Sequence, residues 1–180
     1  KELQSLDVLD SETESTFDSI SDAAKTIAKA DIALVSLVDS NRQWFKSCVG
    51  ASLGQSETPR AVSFCGHAIL TRNPLIIEDA TQDERFSDNP LVTAPPNIRF
   101  YAGFPLILSS GYIIGTLCVI CRRSHQLDLD QINALKKLAA IVVSQLEYRK
   151  AAILSASSES FIVDRSPRTT ETDRFRSVDS

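Results

Sequence analysis

Phe17, Ile20, Ala24, Ile27 and Ala28 recur three and four residues apart, the period of one helix face. Ser11 followed by Glu14 has the spacing of a capping box, so the pattern predicts a helix over about 13–30. Residues 32–38 then read Ile-Ala-Leu-Val-Ser-Leu-Val, a short apolar run rich in β-branched side chains. Such a run predicts a central strand covered on both faces. A polar turn at 39–42 leads to 43–49, where Trp44 and Phe45 mark a hairpin partner. Residues 50–60 read as a loop broken by Gly50, Gly54 and Pro59.

Ser63 can cap a short helix over 64–70, which Asn73-Pro74 ends before a strand at 75–78. The stretch 79–96 is polar and carries two helix-start signals, Thr81 with Glu84 and Asn89 ahead of Pro90. A long, partly helical connection of this kind reads as a lid or binding loop. Strands are expected at 100–108 and 112–120 around Ser109-Ser110-Gly111, with Pro105 at a bulge or an unpaired edge because it has no N–H to donate. Asp128 or Asp130 caps the longest helix. There Ile132, Leu135, Ala139, Val142 and Leu146 alternate spacings of three and four, and Ile153 keeps that heptad seam in register. The seam suits cover for the chain's own sheet or a partner helix. Its continuation through Arg149 and Lys150 favours a homodimer. From about Ser155 the pattern dissolves, as expected of a disordered tail or linker. The expected organisation is an extension over 1–12, one domain over 13–150 and a tail over 151–180.

The hairpins imply a mainly antiparallel sheet. The terminal helices would cover one face, and the short helix and lid the other, an α/β (α+β) architecture. A length of 180 residues with 43% hydrophobic side chains supports one such domain with its own core. No apolar run reaches the roughly 18 residues of a membrane helix. A net charge of −4 repels phosphate backbones, which argues against nucleic acid as partner. Four Cys in a chain this long are no disulfide framework, and three lie in apolar surroundings, which points to a reducing, cytoplasmic setting. The chain contains no Met, so it is expected to be a piece of a longer protein.

Candidate chemistry is sparse. Cys65-Gly66-His67 places a thiol near a helix N-terminus, where the dipole favours thiolate, with a His as possible base or metal ligand. The alternative is that Cys65 packs on the sheet while His67 makes a local hydrogen bond. Cys118 and Cys121 have Cys-x-x-Cys spacing, but residues three apart on a strand face opposite sides, so the sulfurs should diverge and no metal site is expected. The carboxylates at Glu78-Asp79 and Asp83-Glu84 read as caps and surface charge rather than an acid–base pair. No Gly-rich phosphate loop or hydrolase elbow is present. Around the lid, Phe86, Asn89, Pro90, Arg99 and Tyr101 combine aromatic faces with a few polar groups, as an apolar ligand pocket would. Arg99 could pair an anionic ligand or a lid carboxylate. With Phe64, Cys65, His67 and Cys118 these are the candidate ligand-binding residues, and no residue is assigned a catalytic role.

The ordered series at 32–50 (IALVSLVDSNRQWFKSCVG), 63–70 (SFCGHAIL), 75–92 (LIIEDATQDERFSDNPLV), 98–106 (IRFYAGFPL) and 115–120 (GTLCVI) resembles the GAF sensor domains found ahead of bacterial histidine kinases and cyclic-dinucleotide enzymes. The resemblance runs from about Leu6 to Arg149. It implies a six-stranded antiparallel sheet, a pocket under the connection before the last two long strands, and helices that join two protomers and lead to an output module. A regulatory domain that senses an unidentified small molecule is therefore expected, not an enzyme. The alternatives are a dimerisation module with a self-filled pocket, or a cysteine-dependent redox enzyme such as a free methionine sulfoxide reductase. Members that carry a covalent bilin have His directly after Cys. Here Gly66 intervenes, so covalent bilin attachment is not expected.

Overall fold

The computed structural model describes residues 2–50 and 56–163, the last seven only by their helical backbone. In chain order the elements are α1 (Ser15–Ala28), β1 (Ile32–Val38), β2 (Arg42–Gly50), β3 (Glu57–Pro59), α2 (Phe64–Ala68), β4 (Leu75–Ile77), α3 (Pro90–Thr93), β5 (Phe100–Ile107), β6 (Ile113–Cys121) and α4 (Leu129–Val163). The strands form one six-stranded antiparallel sheet in the order β3-β2-β1-β6-β5-β4. β3 lies inside the stretch expected to be loop. It is three residues long and sits at the sheet edge, too short to show a period.

Every residue of β1 is buried, as its apolar run requires. Its side chains alternate between two cores. Ala33, Val35 and Leu37 join Phe17, Ala24, Leu117, Val119 and Phe104 beneath α1 and α4. Ile32, Leu34 and Val38 join Phe45, Phe64, Phe86, Tyr101 and Ile120 beneath α2 and the lid. Cys118 falls in the second core and Cys121 in the first, so their sulfurs do diverge. Pro105 lies past Gly103, the last β5 residue paired with β4, and beside a bulge between Leu106 and Ile107.

Three of the five expected caps form and two do not. Ser63 accepts from the Gly66 N–H and Asn89 from the Leu91 N–H, so α2 and α3 start as expected. At α4 the cap is Asp128: its carboxylate accepts from the Gln131 N–H and the Gln131 side chain accepts from the Asp128 N–H. The boxes at Ser11 and Thr81 do not form. Asp79 takes the Thr81 N–H and hydroxyl in a turn. Ser11 instead donates to the Val8 carbonyl, and Glu14 is engaged by two cations.

The heptad seam of α4 faces its own sheet. Leu135, Ala139, Val142 and Leu146 are buried in the first core and Ile132 packs against it, while Ile153 lines a cleft between α1 and α4. The expectation that these six residues meet a partner helix is corrected for the four buried ones. A 3.6-residue stripe is the same whether a helix lies on a sheet or on another helix, so spacing alone could not separate the two. The helix also continues to Val163, beyond Ser155 where the apolar pattern thins. Residues 164–180 of the expected tail lie outside the described residues.

Among the described residues the buried cation is Lys46, on β2. Its side chain has 0% exposure, and Nζ donates to the Ser11 hydroxyl (2.9 Å), the Glu12 carbonyl (2.7 Å) and the Glu14 carboxylate (2.6 Å). Arg149 of α4 donates to the same carboxylate at 3.1 Å and to the carbonyls of Leu6 and Asp7. Glu14 thus ties sheet, α1 and α4 together. Partial burial pushes its carboxyl up, but the bonds and charges of Lys46 and Arg149 outweigh this and leave it below the usual value. Glu14→Gln should cost about 1.5–3 kcal/mol in urea unfolding, the range for a hydrogen bond to a charged group, because Lys46 stays buried without its counter-ion. Lys46→Met, which removes the buried charge itself, should cost less. With the folded carboxyl lowered, the Glu14 contribution is complete above its unfolded titration and is lost as pH falls through the folded one. The gap between parent and Glu14→Gln should therefore close on acidification; a gap that stays constant would remove the proposed ion-pair origin.

Candidate functional site

The second core is not filled. Between sheet and lid lies a cavity of about 230 Å³, room for roughly eight waters at ~30 Å³ each. The sheet supplies Leu34, Phe45, Tyr101 and Ile120; the first turn of α2 supplies Phe64 and Cys65; the lid supplies Leu91, Pro95, Pro96 and Ile98. Gln43, Thr58 and Arg122 are the polar members. The composition fits a small apolar ligand oriented by a few polar contacts.

The lid is held down at several points. The Asn89 side chain caps α3 and also donates to the Val62 carbonyl at 3.0 Å. The Ile98 N–H donates to the Leu91 carbonyl at 2.8 Å. Arg99 donates to the carbonyls of Val92 (2.9 Å) and Ile98 (3.0 Å). Phe86 is fully buried and stacks on Phe64, with ring centroids 4.1 Å apart and planes 7° apart.

The cavity floor carries a polar cluster inside the apolar core. Cys65 Sγ and Cys118 Sγ lie 3.8 Å apart, and the Tyr101 hydroxyl donates to Cys65 Sγ at 3.2 Å. Gly103 makes this reach possible: a Cβ there would sit 2.2 Å from the Tyr101 Oη. Gly103 is the β5 partner of Cys118, so the Tyr101 ring can lie along the strand and bring its hydroxyl to the sulfurs. Ser36 and Thr116, paired across β1 and β6, bring two buried hydroxyls into the same core face, and neither has a hydrogen-bond partner of standard geometry. Burial pushes the Cys65 thiol up, but the Cys118 thiol and the Tyr101 hydroxyl beside it, with the Thr116 and Ser36 hydroxyls nearby, outweigh this and bring it down to about 6. We ascribe to the hydroxyls of Ser36 and Thr116 only an electrostatic pull on that sulfur, since they make no formed bond. Cys118, next to the developing Cys65 thiolate and itself buried, is held well above the usual thiol value. Tyr101 is raised by its burial and by Cys65.

Of the nine expected ligand-binding residues, Phe64, Cys65 and Tyr101 line the cavity. Cys118 lies beneath Cys65 and Phe86 behind Phe64. Asn89 and Arg99 brace the lid, and Pro90 starts α3 on its exposed side. His67 is exposed on the far side of α2, with its ring edge on Phe86 and Nδ1 3.2 Å from the Ser63 carbonyl. A helical turn separates Cys65 from His67 by about 200°, so the two cannot meet. Arg122, at the end of β6, is the cation of the cavity lining, a place the sequence reading gave to Arg99. Among the described residues no three His, Cys, Asp or Glu side chains converge as a metal site.

A six-stranded antiparallel sheet, end helices on one side and a roofed cavity on the other, is the arrangement the resemblance implied, and the chain belongs to the GAF domain family, whose profile matches residues 12–146. Over 142 residues the chain is 39% identical to a cyclic di-GMP phosphodiesterase of Pseudomonas aeruginosa, a match covering 78% of this chain and 24% of that protein. The chain thus spans about a quarter of that relative's length. Among solved structures, the GAF domain of an Acinetobacter phosphoenolpyruvate-protein phosphotransferase aligns with a TM-score of 0.64 at 16% identity, over 83% of this chain and 95% of that one. The free methionine-R-sulfoxide reductase of Neisseria meningitidis aligns with a TM-score of 0.62 at 20% identity, over 83% and 87%. Likeness at these identities is one of fold.

Because Tyr101 is a donor that lowers the Cys65 thiol, Tyr101→Phe should shift Cys65 titration upward, read from the pH dependence of its alkylation rate. Gly103→Ala, which crowds the hydroxyl away, should act in the same direction. An unchanged pH profile in both variants would show that Tyr101 does not tune the thiol.

Proposed function

We propose that this chain is a regulatory domain that senses a small molecule in the cavity between sheet and lid and reports its occupancy through α1 and α4. The observation that carries this reading is the cavity itself. It is mostly apolar, roofed by a pinned, partly helical segment, and sits on the opposite face of the same strands that seat the helices. A self-filled pocket, as the dimerisation-module reading requires, would leave no such space. The likeness to one segment of a longer phosphodiesterase supports a place beside an output module.

The mechanism is differential binding. A near-complete switch between two helix arrangements needs about 5.5 kcal/mol of difference in ligand affinity. Closing the roof over a ligand buries apolar surface of Leu91, Pro95 and Pro96 at roughly 25 cal/mol per Å². The strain passes through β1 and β6, whose alternate residues touch both cores. Among the described residues no helix is long and apolar enough to cross a membrane, and we place the domain in the cytoplasm on its buried, unbridged thiols.

The domain works as a homodimer in this reading. With the inner stripe of α4 covered by its own sheet, the dimer contact falls to the outer face, where Ile141 is 46% and Tyr148 73% exposed one heptad apart. The helix of 35 residues, about 52 Å long, extends beyond the sheet it covers and offers that face a partner.

Two measurements test this. A cognate ligand at about 100 times its Kd should stabilise the parent by about 2.7 kcal/mol, seen as a rise in Tm, and slow hydrogen exchange over residues 79–96. Leu91→Trp, which fills the cavity from the lid, should abolish both responses; a ligand that still stabilises that variant equally binds elsewhere. Sedimentation equilibrium should show a dimer that Ile141→Glu with Tyr148→Glu converts to a folded monomer. A parent chain that is monomeric at every concentration would remove the dimer.

A further inference from the structure

We propose that Cys65 and Cys118 form a hydroperoxide-reactive dithiol that closes into an intrachain disulfide, making the roof of the cavity responsive to oxidants as well as to a ligand. The sulfurs are 3.8 Å apart and a disulfide bond is about 2.05 Å, so closure needs an approach of under about 2 Å. Cys118 is fixed in the middle of β6, paired on both sides, whereas Cys65 stands in the first turn of a helix of five residues. The movable partner is therefore α2.

The surroundings prepare Cys65 to attack. It lines the cavity, which gives a small peroxide a route to the sulfur of a residue only 2% exposed. Tyr101 donates to it, and the Cys118 thiol stands behind it as resolving group. The hydroxyls of Ser36 and Thr116 are buried without partners, a cost that packing alone leaves unexplained. A thiolate, a sulfenate or a departing hydroxide in this pocket would give them an acceptor. The other two cysteines lack the arrangement: Cys121 is in the opposite core and Cys48 lies exposed on β2.

The chemistry balances with a hydroperoxide as sole oxidant. The Cys65 thiolate attacks the peroxide; the O–O bond breaks, a sulfenic acid forms, and the departing oxygen leaves as water or alcohol after taking a proton. Cys118 then attacks the Cys65 sulfur; the S–S bond forms, the S–O bond breaks, and hydroxide leaves as water with the Cys118 proton. Two thiols supply the two electrons that reduce one peroxide. Closure draws Cys65 toward the sheet and with it Phe64, the ring on which Phe86 of the lid stacks. The cavity wall and its roof move together.

The full chain is treated with hydrogen peroxide, quenched in acid, alkylated and mapped without reduction. The expected result is a peptide pair joined through Cys65 and Cys118, loss of two of the four alkylatable thiols, and recovery of both with dithiothreitol. Tyr101→Phe, a positioning change, should slow linkage several-fold near neutral pH and move its pH profile upward. In Cys118→Ser, Cys65 should be trapped as a dimedone adduct; in Cys65→Ser, Cys118 should yield none. Cys65 and Cys118 both recovered as alkylated thiols while Cys48 oxidises would overturn the proposal, as would linkage of Cys65 to any other cysteine. The map needs no ligand, so a chain without a ligand can still close the disulfide, and a chain that binds one can fail to.

Discussion

The sheet has no solvent face at its centre, and the rest of the molecule follows from that. β1 and β6 lie side by side in the middle of six strands, and residues 32–38 and 114–121 are all buried. Their side chains alternate, so two separate apolar surfaces need cover from one set of strands. The close approach of the two strands is built in at Gly115, where a Cβ would lie 2.0 Å from the Ser36 carbonyl oxygen. An antiparallel sheet of this kind fixes what each cover must supply.

The two covers differ in kind. On one side α1 and α4 present continuous stripes, and the core there closes around Phe17, Phe100, Phe104 and the α4 seam. On the other, a helix of five residues, a helix of four and the turns between them must roof the same length of sheet. Short segments joined by prolines cannot interdigitate as a long helix does, and the packing leaves a cavity. The pocket is thus a property of which face receives the loops. The thiol and hydroxyl cluster sits at its floor because positions 36, 116 and 118 share that face.

The two faces share strands. Ala33 and Leu34 are neighbours in sequence and belong to opposite cores, as do Val119 and Ile120. The backbone that carries the lid core therefore also seats the helices. Glu14 ties the helix side to the sheet, since its carboxylate holds a lysine of β2 and an arginine of α4 together.

Much of this was legible in the chain. The apolar run of β1, the hairpin after it, the lid, the Asn89-Pro90 start and the long final helix each follow from local patterning, because burial and capping act on residues close in sequence. The divergence of Cys118 and Cys121 followed from the two-residue period of a strand. What tertiary structure alone decided are the meetings between distant segments. Ser11 and Glu14 carry a capping signal, yet Lys46, thirty-two residues on, takes the carboxylate. The α4 seam could have met a partner and met its own sheet. Arg99 looked like the cation of the pocket, but two carbonyls hold it and Arg122 lines the cavity. Local spacing determines which element forms and which face is apolar. What covers that face, and which polar groups converge beneath it, depends on contacts between residues far apart in the chain, which no local pattern records.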